Sequence, residues 1–131
     1  MSRGAKLFII VLTSAFVLSV LAGGIHLFSR EEVTRISDPS GRYTAVVTKR
    51  RYQSFVSRMP GQGSDAPGFV EIFGPSGESR GRVPLQMVQF AYQLRWGSSR
   101  AEIPLVAEWD FTRRTCYYWS EDQARQIWVR H

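Results

Sequence analysis

The chain has 131 residues, with 17 basic and 11 acidic side chains, 13% aromatic residues and a single cysteine. That length fits one domain, and plentiful aromatics with ordinary charge exclude a disordered chain. One cysteine, Cys116, excludes an intrachain disulfide and a cysteine metal knuckle.

From the N-terminus, Leu7 to Phe28 runs 22 residues without a formal charge. As a helix it spans about 33 Å, enough for a hydrocarbon core of about 30 Å. Arg3 and Lys6 precede it, while the charges of Arg30, Glu31, Glu32 and Arg35 beyond it nearly cancel. The positive-inside rule then directs the N-terminus to the cytoplasm and the rest of the chain to the far side, a periplasm or lumen. A cleaved signal peptide is the rival, since Val20 and Ala22 form a small-residue cleavage pattern before Gly23. The greater length favours a retained single-pass anchor over 1–30, with residues 31–131 as the outer domain. LAGG lacks the cysteine of a lipoprotein, and His26 falls near the outer end, where a solvated interfacial role suffices. Setting Arg3 and Lys6 aside leaves 15 basic against 11 acidic residues, interspersed. Such a bias is too weak and scattered to argue for nucleic acid.

The outer domain reads as strands and turns. Glu31 to Ser37 is a polar connector that can begin the first strand. Asp38-Pro39-Ser40-Gly41 is a turn signal, and Arg42 to Arg50 alternates as a strand. Tyr52 to Arg58 is expected to continue the sheet. Met59 to Gly68 is the longest loop, with three glycines and two prolines. Phe69 to Phe73 is a strand closed by Gly74-Pro75-Ser76-Gly77, and Arg80 to Leu85 resumes extended chain, with Pro84 suited to an edge. Gln86 to Gln93 can hold a helical turn, and Tyr92 to Trp96 reads as a strand ended by Gly97-Ser98-Ser99. In Ala101 to Trp109, Ile103, Leu105, Ala107 and Trp109 are expected on one buried face, with Pro104 marking an edge or bulge. Thr115 to Trp119 and Gln126 to Val129 suggest a final hairpin. A capping box over Ser120 to Gln123 makes a short helix the alternative. The fold expected is mainly β: one transmembrane helix followed by a small antiparallel β-sandwich or blade-like meander domain.

Asp38 to Tyr43 and Trp96 to Ala101 both read as a tight turn, a basic residue and then a strand. This resembles the turn that leads into the inner strands of β-propeller blades. The domain is too short for a closed propeller, but two blade-like meanders packed together would fit. More widely, DPSGRYTAVV, MPGQGSDAPGFVEIF, VPLQMV and AEIPLVAEWDF resemble a group of small membrane-anchored bacterial proteins of unassigned function, mainly from photosynthetic bacteria. The resemblance covers residues 37 to 128 and implies an organisation without implying an activity.

Catalytic chemistry is poorly supplied. The only histidines are His26 and His131, so the body of the outer domain lacks the commonest general base and metal ligand. Cys116 shares a face with Tyr118 and reads as a small buried hydrophobe, since a reactive thiol needs a base beside it. Glu102 and Glu108 share a strand face, but along one strand they stand about 20 Å apart, too far to work as a pair. No cofactor or metal is expected, and an enzyme is the remote alternative.

Binding has better candidates. Lys49, Arg50 and Arg51, with Arg58 nearby, form the densest basic cluster. It reads either as a solvated strand end or as a contact for lipid headgroups or an acidic protein. Gly61, Gln62, Gly63 and Asp65 sit in the long loop. No Lys-Ser/Thr follows, so phosphate cradling is disfavoured, leaving a surface loop or a docking loop. Tyr117, Tyr118 and Trp119 are consecutive, so a strand must turn at least one outward. Tyr117 or Trp119 could then be a sugar platform or an interface anchor. The reading overall is a membrane-tethered, non-enzymatic interaction module, an accessory or assembly factor with a protein partner in or at the membrane. An envelope binder of glycans or anionic headgroups is the alternative.

Overall fold

The computed structural model describes residues 2–52, 66–119 and the backbone of 124–128. Helix α1 runs Arg3–Phe28, capped by Ser2, whose Oγ accepts from the Ala5 N–H at 3.3 Å. No residue of α1 is buried, and its mean hydropathy reaches 2.4, long and apolar enough to cross a membrane; a signal sequence meets the same criterion. A helix on a globular surface hides one apolar stripe, whereas α1 is apolar on every side. Two of its three hydroxyls turn inward: Thr13 donates to the Ile9 carbonyl at 2.8 Å and Ser19 to the Ala15 carbonyl at 2.9 Å. Each of the two is thereby satisfied within the helix.

A four-stranded antiparallel meander follows, formed by β1 (Arg30–Ser37), β2 (Thr44–Arg50), β3 (Gly68–Phe73) and β4 (Ser79–Leu85) in that order. The polar connector is therefore strand from its first residue, with a bulge at Val33 between Glu32 and Thr34. The Asp38 and Gly74 turns close as the sequence dictates, with Gly41 at φ 73° and Gly77 at φ 79° supplying the left-handed corners. Alternation puts Ala45, Val47, Val70, Ile72, Val83 and Leu85 on the inner face.

A 3-10 turn, Val88–Gln93, leads to the second antiparallel meander: β5 (Arg95–Trp96), β6 (Arg100–Ile103), β7 (Ala107–Asp110), β8 (Thr115–Trp119) and β9 (Ala124–Trp128). The two meanders share one core, completed by Ala101, Ile103, Ala107, Trp109 and Cys116 from the second sheet and Val88 and Ala91 from the 3-10 turn. The two sheets press together at Gly81. A Cβ there would lie 2.7 Å from the Cβ of Cys116, and φ is 123°. Trp109 is fully buried and its Nε1–H donates to the Gly81 carbonyl at 3.2 Å, so its one polar atom is satisfied.

Four expectations change. Ala101 to Trp109 is a hairpin of β6 and β7 rather than one strand, and Leu105 leaves the shared face to sit exposed at its tip. Pro104 is a turn residue, not a bulge. Tyr92 belongs to the 3-10 turn, which shortens the strand expected over Tyr92 to Trp96 to Arg95–Trp96. Tyr52 has helical backbone, and residues 53–58 lie outside the described residues. The final hairpin holds, with β8 and β9 paired from Thr115↔Trp128 to Trp119↔Ala124, so the C-terminal helix is not formed over β9.

Candidate functional site

Strand register divides the β domain into two ends. Arg30 faces Arg50, Lys49 faces Gly68 and Gly68 faces Leu85, all beside the exit of α1. Ser37, Thr44, Phe73 and Ser79 mark the other end, about 23 Å away along an eight-residue strand.

The basic cluster ties the helix to the sheet. The Arg50 guanidinium donates to the Phe28 carbonyl at 2.9 Å, and the Arg51 backbone N–H donates to the Ser29 carbonyl at 2.9 Å. The Arg51 guanidinium meets His26 Nε2 at 3.1 Å, and the Tyr52 ring lies 5.5 Å from that of Phe28. Cations at a helix C-terminus also complement its dipole. Two of the three residues thus have work at the junction, so the cluster is not merely a solvated strand end. Lys49 pairs with Glu31 in register on the edge strand.

At this same end a pocket of about 300 Å³ opens between the sheets. Its walls include Pro84, Gln86, Phe90, Pro104, Leu105 and Trp119. Leu105 is 94% exposed and Trp119 57% exposed. The tip that carries Leu105 has a Val106 N–H donating to the Ile103 carbonyl at 3.0 Å, with Pro104 second and Leu105 third at φ 61°. That is the arrangement of a type II turn, in which the third position calls for glycine or asparagine. A left-handed leucine costs about 1–2 kcal/mol, and full exposure forfeits the burial its side chain would otherwise gain.

The other candidates are dispersed. Trp119 joins the pocket, but Tyr117 does not line it. Tyr117 lies on the outer sheet face, between Glu108 and Gln126 in register. Among the described residues, the pocket lining includes Phe90 and Trp119 and no arginine. Arg58, Gly61, Gln62, Gly63 and Asp65 lie outside the described residues. Glu102 and Glu108 are direct cross-strand neighbours, because the hairpin folds between them; the separation expected along one strand is overturned. Arg100 lies 3.7 Å from Glu108. Glu102 borders a shallow hollow of about 240 Å³ with Arg95, Trp96 and Arg100, and Glu108 is not part of its lining. The two carboxylates therefore do not flank a cleft between them, as glycoside hydrolysis requires. Cys116 is fully buried and desolvation pushes its thiol up to about 12, far from a nucleophile's range. Among the described residues, no group of three His, Cys, Asp or Glu is placed to hold a metal.

Leu105, Phe90, Pro84 and Gln86 are absent from the sequence-based candidates. The available signal was Pro104: a proline between two short alternating runs suits the second position of a turn. Comparisons with protein-family models, with curated proteins and with solved structures return no match.

Proposed function

We propose that the chain is a non-enzymatic interaction module, tethered by α1 and working through the helix-proximal end of its β domain at the membrane. The N-terminus lies in the cytoplasm and the β domain on the far side, as the charges flanking α1 favour. An accessory or assembly role in a membrane complex fits this arrangement. One observation carries the reading. Among the described residues beyond α1, the exposed large apolar side chains are Tyr92, Leu105 and Trp119, and two of these three border a single pocket at the end where α1 leaves. Exposed apolar surface concentrated at one place marks interaction sites.

Two measurements test the proposal in the full chain. A phosphatase-type reporter fused after His131 should be active and a cytoplasm-only fluorescent reporter dark. A photo-crosslinking residue at position 105 should yield an adduct with a membrane component in native membranes, and one at Arg113 in the opposite end should not. Equal yields at the two positions would remove the helix-proximal end as the working surface.

A further inference from the structure

We infer that the occupant of this surface is the interfacial zone of the bilayer itself. Leu105 and Trp119 enter the boundary between headgroups and acyl chains, and the basic residues of the same end meet lipid phosphates. The inference rests on the tethered-module reading and names its partner.

Depth is the first argument. The Arg51 guanidinium reaches His26, and Tyr52 packs on Phe28, so the end of β2 lies alongside the last turn of α1. That turn still displays Ile25, Leu27 and Phe28, all exposed, which belong in or at the edge of the hydrocarbon. The end of the domain that contacts the turn is therefore held at the bilayer surface. Leu85 lies in the row Glu31–Lys49–Gly68–Leu85 across that end, and its neighbours Pro84 and Gln86 share the pocket with Leu105 and Trp119.

Chemistry is the second argument. Tryptophan favours the membrane interface, where its ring is half in apolar surroundings and its N–H meets water or a headgroup. A leucine held outward on a rigid turn, at a position suited to glycine, is costly in water and gains from entering acyl chains. Arg30, Lys49 and Arg50 stand at the strand ends of this level, with Arg51 next in the chain. Each arginine has five N–H donors, so Arg50 and Arg51 can hold Phe28 and His26 and still offer donors to the phosphate oxygens that every phospholipid carries. Among the described residues, Leu105 is the most exposed large apolar side chain of all, more so than any in α1.

The test uses the purified full chain reconstituted through α1 into phosphatidylcholine vesicles, with and without bromine on the shallow acyl carbons. The chain has four tryptophans, Trp96, Trp109, Trp119 and Trp128, and α1 contains none, so the helix adds no signal. The expected result is quenching of part of the emission, with that component missing in Trp119→Phe. Leu105→Asp should reduce the Trp119 component at least twofold while the circular dichroism spectrum stays unchanged, because the side chain packs on little. Equal quenching in wild type and Trp119→Phe overturns the inference. If the position-105 crosslinker then captures a protein in native membranes, the tethered-module reading survives with a protein as occupant. If it captures nothing, both readings fall.

Discussion

The two ends of the β domain are built from the same parts and finished differently. At the helix-distal end the turns obey the rules: Gly41 and Gly77 take the left-handed corners. Tyr43 stacks on Phe111 at 3.9 Å with rings 7° from parallel. Asp110 accepts from the Thr112 and Arg113 N–H groups at 3.0 Å each. Arg114 is also left-handed, at φ 58°, but it carries its charge into solvent. At the helix-proximal end a leucine takes the left-handed corner and faces outward beside a half-exposed tryptophan. The distal end buries its large apolar groups, although the Thr115 Oγ1 there is buried without a hydrogen-bond partner. The proximal end leaves Leu105 and Trp119 exposed, at a backbone cost at Leu105, which is the contrast that the proposed interaction surface rests on.

One seam between the sheets holds both ends together, and breaking it has the largest effect. Gly81→Ala brings a Cβ onto Cys116 and forces an L side chain to φ 123°. The variant should lose cooperative unfolding in detergent, and adding Cys116→Gly, which removes both the Cβ at 2.7 Å and the Sγ at 3.0 Å, should restore it only in part, because the backbone strain remains. Next comes the contrast between the ends. Phe111→Ala should cost about 3–5 kcal/mol in denaturant titrations, whereas Trp119→Ala, already largely exposed, should cost less than about 1 kcal/mol. Equal costs would erase the distinction drawn between a closed end and an open one.

Smaller in stability but sharper in meaning is Leu105→Gly. Removing the left-handed leucine should leave stability unchanged or raise it by about 1 kcal/mol, and Arg114→Gly should do the same at the other end. Only the change at 105 should diminish quenching of Trp119 by brominated lipid. The smallest effect near neutral pH concerns Cys116. Its thiol is pushed up to about 12 from an ordinary value of 9.0, so both folded and unfolded forms hold the proton below pH 9 and stability is insensitive there. Above pH 9 the unfolded chain ionises first and stability should fall. Alkylation at pH 8 should therefore be slow in the native protein and rapid in denaturant.

Much of the architecture was legible because its causes are local. The uncharged run Leu7 to Phe28 makes α1 by length and composition alone. The Asp38 and Gly74 turns carry their own proline and glycine, and Arg42 to Arg50 alternates as a half-buried strand must. The site was not legible, and parity explains why. The β6–β7 connection, Pro104 to Val106, has three residues, and Ile103, Ala107 and Trp109 all face inward. Because the hairpin preserves the odd-even alternation, it reads as one continuous strand, with Leu105 in line to be buried and Glu102 far from Glu108.

The sequence by itself determined the apolar helix, the strand-and-turn order and the scarcity of catalytic groups, since each depends on residues adjacent in the chain. The tertiary structure decided what sits beside what. Gly81 had to be glycine because Cys116, 35 positions later, presses on it across the seam. Arg50 and Arg51 became the clasp on the end of α1 because β2 returns to where β1 began. Leu105 met Pro84, Phe90 and Trp119 because two separate meanders close on one core, a consequence of burial between the sheets that no window of neighbouring residues contains.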